Sequence, residues 1–439
     1  MLGREEEGGW RAAVPPIQAS TSICRVQFIV RTSDTSQVRA EAWLPSSNDW
    51  NARFLATGNG GLGGCFGYET MDYGTSLNFA VVGSDNGHDG SGGSSFYKHP
   101  EVLKYFAARC IHTIAVVGKQ LDFDGIVAGA PATNWNHMIS WFGMLYAFIG
   151  GPGNKSLSLI STPLWGIIRA EIFRQCDALD GVEDGVLDDP DACDFEPDVL
   201  ACSTVVEGGQ PGETCLNDPQ LDAVRKIYAP LLDADGDLIY PRYSPGANPP
   251  AAAGMFSGNI VSYTNDWFRY VVYEDPSYDF PNFGLKDVEA ADALNPFNIS
   301  TFSGDFTAFN ARGGKFLTYH GTHDELISYT NAKRSYDLAV SFIGEKELDS
   351  FYRLFVVPGM DHCSGGPGTC RFGQGGSSTT APPPTKEDAQ HNILLALVDW
   401  VEKGVAPDEL VGTDEKGAER VLCRYPGRSV WDGVGWGCR

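Results

Sequence analysis

The chain has 439 residues, more than one ordinary core holds, so two domains or one large domain with an insertion are expected. Its 56 acidic against 32 basic residues leave a formal net charge of −24. Phosphates would be repelled by that charge, which argues against nucleic acid and anionic membrane as partners. No apolar run approaches the roughly 18 residues of a membrane-spanning helix.

Eleven cysteines point to a disulfide framework and an oxidising compartment. N-x-S/T acceptors at Asn154 and Asn298 fit secretion. The first ten residues, M-L-G-R-E-E-E-G-G-W, carry too many acids and no apolar core for a signal peptide. A truncated or altered start would reconcile the two observations.

Residues 1–20 are polar and expected to be poorly ordered. Cys24 to Arg31 and Gln37 to Leu44 are rich in Val, Ile and Phe and read as strands joined by a Thr-Ser-Asp turn. Arg53 to Thr57 is a third strand and feeds the glycine-rich loop Gly58 to Gly64. Asn78 to Ser84 is a fourth. Pro100 to Lys119 reads as a helix, with Val102, Leu103, Phe106, Ile111, Ile114 and Ala115 largely on one face. Gly125 to Ala130 is a short buried strand. Strands that end in glycine-rich loops and later alternate with helices indicate an α/β sheet.

The pattern changes over residues 136–300. An aromatic stretch, Trp135 to Phe148, opens a region with four clustered cysteines and many acids, expected to be an inserted lid domain. The sheet resumes with a strand at Lys315 to Tyr319, a helix near Tyr329 to Val340, and the apolar run Phe351 to Val357. A last helix is expected from about Lys386 to Lys403, after a loop over Gly365 to Pro384 that is poor in apolar residues. The domains are therefore 21–135 and 301–439, two parts of one core, with 136–300 between them.

Two of the late strands end in residues that carry chemistry. Lys315 to Tyr319 runs into H-G-T-H-D, which places Asp324 on the loop after the strand. Phe351 to Val357 ends at Pro358-Gly359, and His362 follows. An acid after one strand and a histidine after the next is the late half of the Ser…Asp…His order of α/β-hydrolases. Taken singly, each residue is equally a turn or surface group. Asp177, Asp180 and Asp184 lie in one compact loop in which Gly181 and Gly185 permit sharp turns. Such carboxylates suit calcium, or make a solvated acidic turn.

Several segments together resemble the tannase and feruloyl esterase family. They are A-T-G-N-G-G-L-G-G (Ala56 to Gly64), V-G-S-D-N-G-H (Val82 to His88) and F-D-G-I-V-A-G-A-P-A-T-N-W (Phe123 to Trp135). C-D-A-L-D-G-V-E-D-G-V (Cys176 to Val186) and G-M-D-H-C-S-G-G-P-G (Gly359 to Gly368) complete the set, and the match covers most of residues 24–439. The resemblance implies an α/β-hydrolase fold with an inserted calcium-binding lid, and a secreted serine esterase. Its substrates would be small aromatic esters, feruloyl or galloyl, from plant cell walls or tannins. It makes His362 the base, Asp324 its orienting acid, and Cys363 one half of a disulfide to a cysteine preceding the nucleophilic serine. It makes Gly60 and Gly61 oxyanion-hole candidates. Ca2+ would be held by Asp177, Asp180 and Asp184 with the carbonyls of Val182 and Val186. The preferred disulfides are Cys176 with Cys193, Cys202 with Cys215 and Cys423 with Cys438, with Cys24 and Cys65 a further pair; spacing alone fixes none of them.

The nucleophile is the departure. The family carries G-C-S-T-G-G at a strand-to-helix elbow, between segments that here read Ile111-His112-Thr113 and Phe123-Asp124-Gly125. No G-x-S-x-G occurs in the sequence. The pairs Cys202-Ser203 and Cys363-Ser364 lack the elbow's glycines. The elbow segment is expected to be deleted, leaving Cys363 unpaired and the chain inactive as written. The alternative is a non-catalytic, calcium-stabilised protein that binds aromatic ligands.

Overall fold

The computed structural model describes residues 19–34, 36–119, 123–150, 156–204, 210, 213–252, 254–280, 282–375, 386 and 388–439. The polar segment 1–18, Asn154, and residues 376–385 of the expected loop lie outside the described residues, as do residues 120–122.

The first half of the core is a four-stranded sheet. Strands β1 (Ile23–Arg31) and β2 (Gln37–Pro45) form an antiparallel pair in which Cys24 faces Leu44 and Arg25 faces Trp43. Strand β4 (Ala80–Ser84) pairs antiparallel to β2, and β3 (Phe54–Ala56) pairs parallel to β4, so the order is β1-β2-β4-β3. Side chains alternate across the pleat. Trp43 and Val81 point to one face and pack with Met71 of α1 (Tyr68–Ser76). Ala40 and Val82 point to the other and meet Ile114. Ile114 belongs to α3 (Cys110–Lys119), which continues α2 (Pro100–Lys104) through a π-helical turn at Tyr105–Arg109. The single helix expected over 100–119 is thus one rod with a π-turn inside it.

The second half is a parallel three-stranded sheet, β5-β8-β9, built from Gly125–Gly129, Lys315–Gly321 and Tyr352–Val357. Helix α10 (Tyr329–Ile343) covers one face through Tyr336 against Tyr352. Helix α12 (Ile393–Lys403) covers the other through Leu397 and Trp400. The expected start of α12 near Lys386 is corrected to Ile393. Asn392 caps it there, its side-chain oxygen accepting the Leu394 and Leu395 N–H groups. Helix α11 (Glu345–Leu348) precedes β9.

Strand pairing does not join the two halves. Among the described residues β3 is paired only to β4, and β5 only to β8. In sequence, α1, β4, α2 and α3 lie between β3 and β5. Large apolar side chains are exposed on the elements that flank residues 120–122: Ile111, Val116 and Val117 on α3, and Ile126 on β5.

Between β5 and β8 the chain is mostly helical. It runs through α4 (Trp135–Ile149), α5 (Thr162–Cys176), α6 (Asp218–Ile227), the short hairpin β6–β7 (Leu231–Leu232, Leu238–Tyr240), α7 (Ser262–Trp267), α8 (Leu285–Leu294) and α9 (Thr307–Ala311). The first helix is apolar nearly all round, which suits a helix buried on every side. Trp141 and Leu145 of α4 share one apolar cluster with Trp165 of α5 and Trp267 of α7. Two hairpins close the chain: β10–β11 (Glu409–Thr413, Glu419–Cys423) and β12–β13 (Ser429–Trp431, Trp436–Cys438).

Disulfides join Cys176 to Cys193, Cys202 to Cys215 and Cys423 to Cys438. The expected Cys24–Cys65 pair is corrected: both are free and exposed. Arg25 reaches Tyr68, three residues beyond Cys65. Cys24 is one position out of phase with Arg25 and so projects to the opposite face of the sheet.

Candidate active site

The parallel order of β8 and β9 puts their C-terminal ends side by side, Gly321 opposite Val357. The loops that follow therefore start together. Two close backbone approaches fix their paths. A Cβ on Gly321 would lie 2.0 Å from the Met360 carbonyl oxygen, and Gly359 turns at a φ of +69° against Gly368. Both positions need glycine. Thr322 links the loops again, its Oγ1 accepting the Gly359 N–H at 2.8 Å.

This geometry brings Asp324 and His362 together. His362 Nδ1 lies 2.9 Å from Asp324 Oδ2. Asp324 is buried, and its charge is shared among four donors. Oδ1 accepts the N–H groups of Leu326 and Ile327, both at 2.8 Å. Oδ2 also lies 3.0 Å from His320 Nε2, whose N–H is shared with the Ile327 carbonyl oxygen at 3.0 Å. Burial opposes ionisation of Asp324, but the His362 charge and the hydrogen bonds from His320 and His362 outweigh it. The carboxyl is held below the usual carboxylate range. Burial likewise opposes protonation of His362, and the Asp324 charge overcomes it, raising the imidazole well above its ordinary value.

Three residues that sequence reading did not single out complete the arrangement. His320 is the second histidine on the acid, fully buried on β8. Glu325 Oε2 accepts the backbone N–H of His362 at 3.1 Å, so the 322–326 loop grips His362 by main chain and side chain. Burial, then the Glu325 charge beside it, push Asp361 up to about 7. His323 faces away from Asp324. Its Nε2 accepts the Leu187 N–H at 3.1 Å, and burial pulls it down to about 3. The H-G-T-H-D string held His320 and His323 in plain sight. Nothing in its spacing says which histidine turns to the acid.

Gly60 and Gly61 form a tight turn, closed by the Gly63 N–H donating to the Gly60 carbonyl. A side chain on Gly60 would meet nothing, whereas one on Gly61, at a φ of +57°, would strike Tyr263. Among the described residues neither glycine's own N–H donates a hydrogen bond. Cys363 is a free, partly exposed thiol at a φ of +61°.

The acidic loop follows α5 and is closed by the Cys176–Cys193 disulfide. Its carboxylates accept N–H groups within the loop: Asp177 from Gly185, Asp180 from Val182, and Asp184 from Val186. Burial first, with the Asp184 charge adding to it, raises both Asp177 and Asp180. Carboxylates that repel one another, beside free carbonyls, are the hard oxygen donors calcium takes. Among the described residues no three His, Cys, Asp or Glu side chains converge as ligands for a metal ion. The donor chemistry therefore fits calcium, and the side chains as they stand do not enclose it.

The sequence pattern of the family described as "Tannase and feruloyl esterase" matches residues 24–121 and 122–437. This chain belongs to the tannase and feruloyl esterase family. Members are carboxylic ester hydrolases, and the fold is α/β-hydrolase-like. A probable feruloyl esterase B-2 from Aspergillus terreus is 40% identical, covering 95% of this chain and 84% of the relative. A probable feruloyl esterase B from Aspergillus clavatus is 41% identical with similar coverage, 95% and 85%. The crystal structure of feruloyl esterase B from Aspergillus oryzae superposes with a TM-score of 0.90 at 36% identity, covering 97% of this chain and 91% of that one. A tannin acyl hydrolase from Aspergillus niger shares the fold, with a TM-score of 0.75 at 21% identity over 95% of this chain and 86% of that one. The family match is interrupted between residues 121 and 122. The alignment to the A. terreus relative runs over 458 residues, more than the 439 of this chain. Part of that relative therefore has no counterpart here.

Proposed function

We propose that this chain is an aromatic-ester hydrolase of the feruloyl or galloyl type in which the acid–base half of the site is complete and the nucleophile is missing. His362 is the base and Asp324 its orienting acid. Gly60 and Gly61 are oxyanion donors, the helical segment between β5 and β8 is a lid, and the 177–186 loop holds calcium. The three disulfides support an oxidising, extracellular setting. As written, the chain turns over no ester.

The observation that carries this reading is that, among the described residues, β3 and β5 are end strands of two separate sheets. An elbow serine sits where a strand turns sharply into a helix at the top of a continuous sheet. Among the described residues β3 has no partner besides β4 and β5 none besides β8, which leaves an open edge on each for such a strand. The family match stops and restarts in the residues that connect them. Without the elbow there is no hydroxyl for His362 to deprotonate and no second oxyanion donor. The loss of both removes even the residual acceleration that binding and oxyanion donors provide.

The test is hydrolysis of methyl ferulate, methyl gallate and 4-nitrophenyl acetate, with His362→Ala as the background. Rates should coincide. Turnover that disappears in His362→Ala would overturn the reading and require a nucleophile elsewhere in the chain.

A further inference from the structure

Beyond the end of the sheet, the loops that carry Asp324 and His362 are tied to each other and to two further segments by buried hydroxyls. Thr322, two residues before Asp324, is fully buried. Its Oγ1 accepts the Gly359 N–H at 2.8 Å and donates its own proton to the Leu187 carbonyl at 2.9 Å. A hydroxyl has one proton to give, so this one is committed on both sides. Leu187 also gives its N–H to His323 Nε2 at 3.1 Å. Both of its backbone groups are therefore bound to the two residues just before Asp324. From the segment between β5 and β8, Ser244 Oγ donates to the Thr322 carbonyl at 2.5 Å and Tyr243 Oη to the Glu325 carbonyl at 3.1 Å. Ser328 Oγ returns a bond to the Arg242 carbonyl at 3.0 Å. Gly246 lies so close to His323 that a Cβ there would sit 2.2 Å from the ring. Three separate parts of the chain grip the acid loop, and Thr322 is the residue where all three meet.

We propose that Thr322 is a positioning residue for the acid–base pair: its hydroxyl, with Ser244 behind its carbonyl, holds the acid loop against the histidine loop and Leu187, and so sets the distance from Asp324 to His362. The inference rests on the reading of His362 as base and Asp324 as its acid, and adds Thr322 and Ser244 to it. Thr322 acts through the backbone. Its hydroxyl fixes where the acid loop leaves β8 relative to where Gly359 turns toward His362. The 2.9 Å contact between Asp324 Oδ2 and His362 Nδ1 joins one side chain from each loop, so a relative shift of the loops lengthens it directly. Valine has the shape of threonine without the hydroxyl. It would take this partner from a buried N–H at Gly359 and a buried carbonyl at Leu187, and the loops would shift to find others. The titratable groups around His362 are Asp324 and Glu325 on the acid loop, His320 on β8, and Asp361 and Cys363 on its own loop, with the Arg169 charge of α5 acting on Asp361. Substitution of Thr322 or Ser244 removes none of them, so a change in His362 reports geometry.

The experiment is an NMR titration of His362 in the whole chain, alongside chemical denaturation, for the wild type, Thr322→Val, Thr322→Ser and Ser244→Ala. The wild-type imidazole should titrate well above its ordinary value. Thr322→Val should lower it by about one pH unit, the smaller end of what an opposite charge in contact supplies. Thr322→Ser keeps the hydroxyl and should titrate as the wild type does. Ser244→Ala should move His362 in the same direction by less, and it carries the test if Thr322→Val does not fold. A residue that merely held the fold together would cost stability and leave the histidine alone. An unmoved His362 titration in Thr322→Val, or in Ser244→Ala where the valine chain does not fold, would therefore overturn the proposal. So would Thr322→Ser behaving as Thr322→Val does. A wild-type His362 that titrates at its ordinary value would instead remove the acid–base reading itself, and this proposal with it.

Discussion

Replacing Asp324 by Asn tests the acid–base pair with almost no change in shape. The carboxylate receives four donors: two backbone N–H groups on Oδ1, and His320 and His362 on Oδ2. An amide presents one oxygen and an NH2 group. If its oxygen keeps the Leu326 and Ile327 N–H groups, the NH2 faces two histidine N–H donors, both partly or fully out of water. The substitution removes a buried charge, its charge-assisted bonds and the partner of His362, at a cost of about 3–5 kcal/mol. Chemical denaturation measures it. The second readout is the His362 titration by NMR. In the wild type, burial lowers this imidazole and the Asp324 charge more than offsets it. With the charge gone, burial should leave the ring below its ordinary value of about 6.5. The sign follows from linkage. Because the folded-state value is raised, His362 contributes stability that is complete below about pH 6.5 and is lost as pH rises through the raised value. Asp324, depressed on folding, contributes stability that is lost in acid. Asp324→Asn should therefore flatten both limbs of the stability profile. An unmoved His362 titration, or a loss under about 1 kcal/mol of the kind a surface ion pair gives, would refute the buried-pair reasoning.

Gly321→Ala places a methyl carbon 2.0 Å from a backbone oxygen, so it should cost about 1–3 kcal/mol and separate Asp324 from His362, seen as a fall in the His362 titration. Calcium at 100 times its dissociation constant should stabilise the fold by about 2.7 kcal/mol. Chelator should lower the melting temperature of the wild type and not of the double variant Asp180→Ala, Asp184→Ala; equal shifts would remove the assignment. Burial pulls His323 down to about 3, so the unfolded state binds the extra proton and stability falls with pH between about 6.5 and 3. A His323→Phe variant that folds should lose that part of the acid limb.

The sequence made the late half of the site readable because its geometry is local. Asp324 and His362 each sit a few residues past an apolar strand, and adjacent parallel strands bring their C-terminal ends together. Cys176 and Cys193, separated by 17 positions, were preferred as a pair because they close a short loop, although spacing alone did not fix the pairing. What stayed hidden depends on direction rather than spacing. His320 and His323 differ by three residues, yet one turns to the acid and the other to Leu187. Cys24 looked pairable with Cys65 until strand phase placed it on the other face. Helix α1 (Y-E-T-M-D-Y-G-T-S) has little apolar periodicity and a glycine inside it, so packing against Trp43 rather than propensity holds it helical. The terminal hairpins β10–β13 are short, and their hydrophobic alternation is too brief to read.

The central claim is that one strand–turn–helix is absent and that the rest of the machinery is intact. Its most direct test inserts the family's elbow segment, with G-C-S-T-G-G at the turn, between residues 119 and 122 and measures methyl ferulate hydrolysis. The account predicts no turnover by the chain as it stands. In the inserted chain it predicts turnover that His362→Ala abolishes, together with a disulfide from Cys363 to the new cysteine, visible by mass spectrometry. An inserted chain that folds and forms that disulfide yet stays inactive would contradict it.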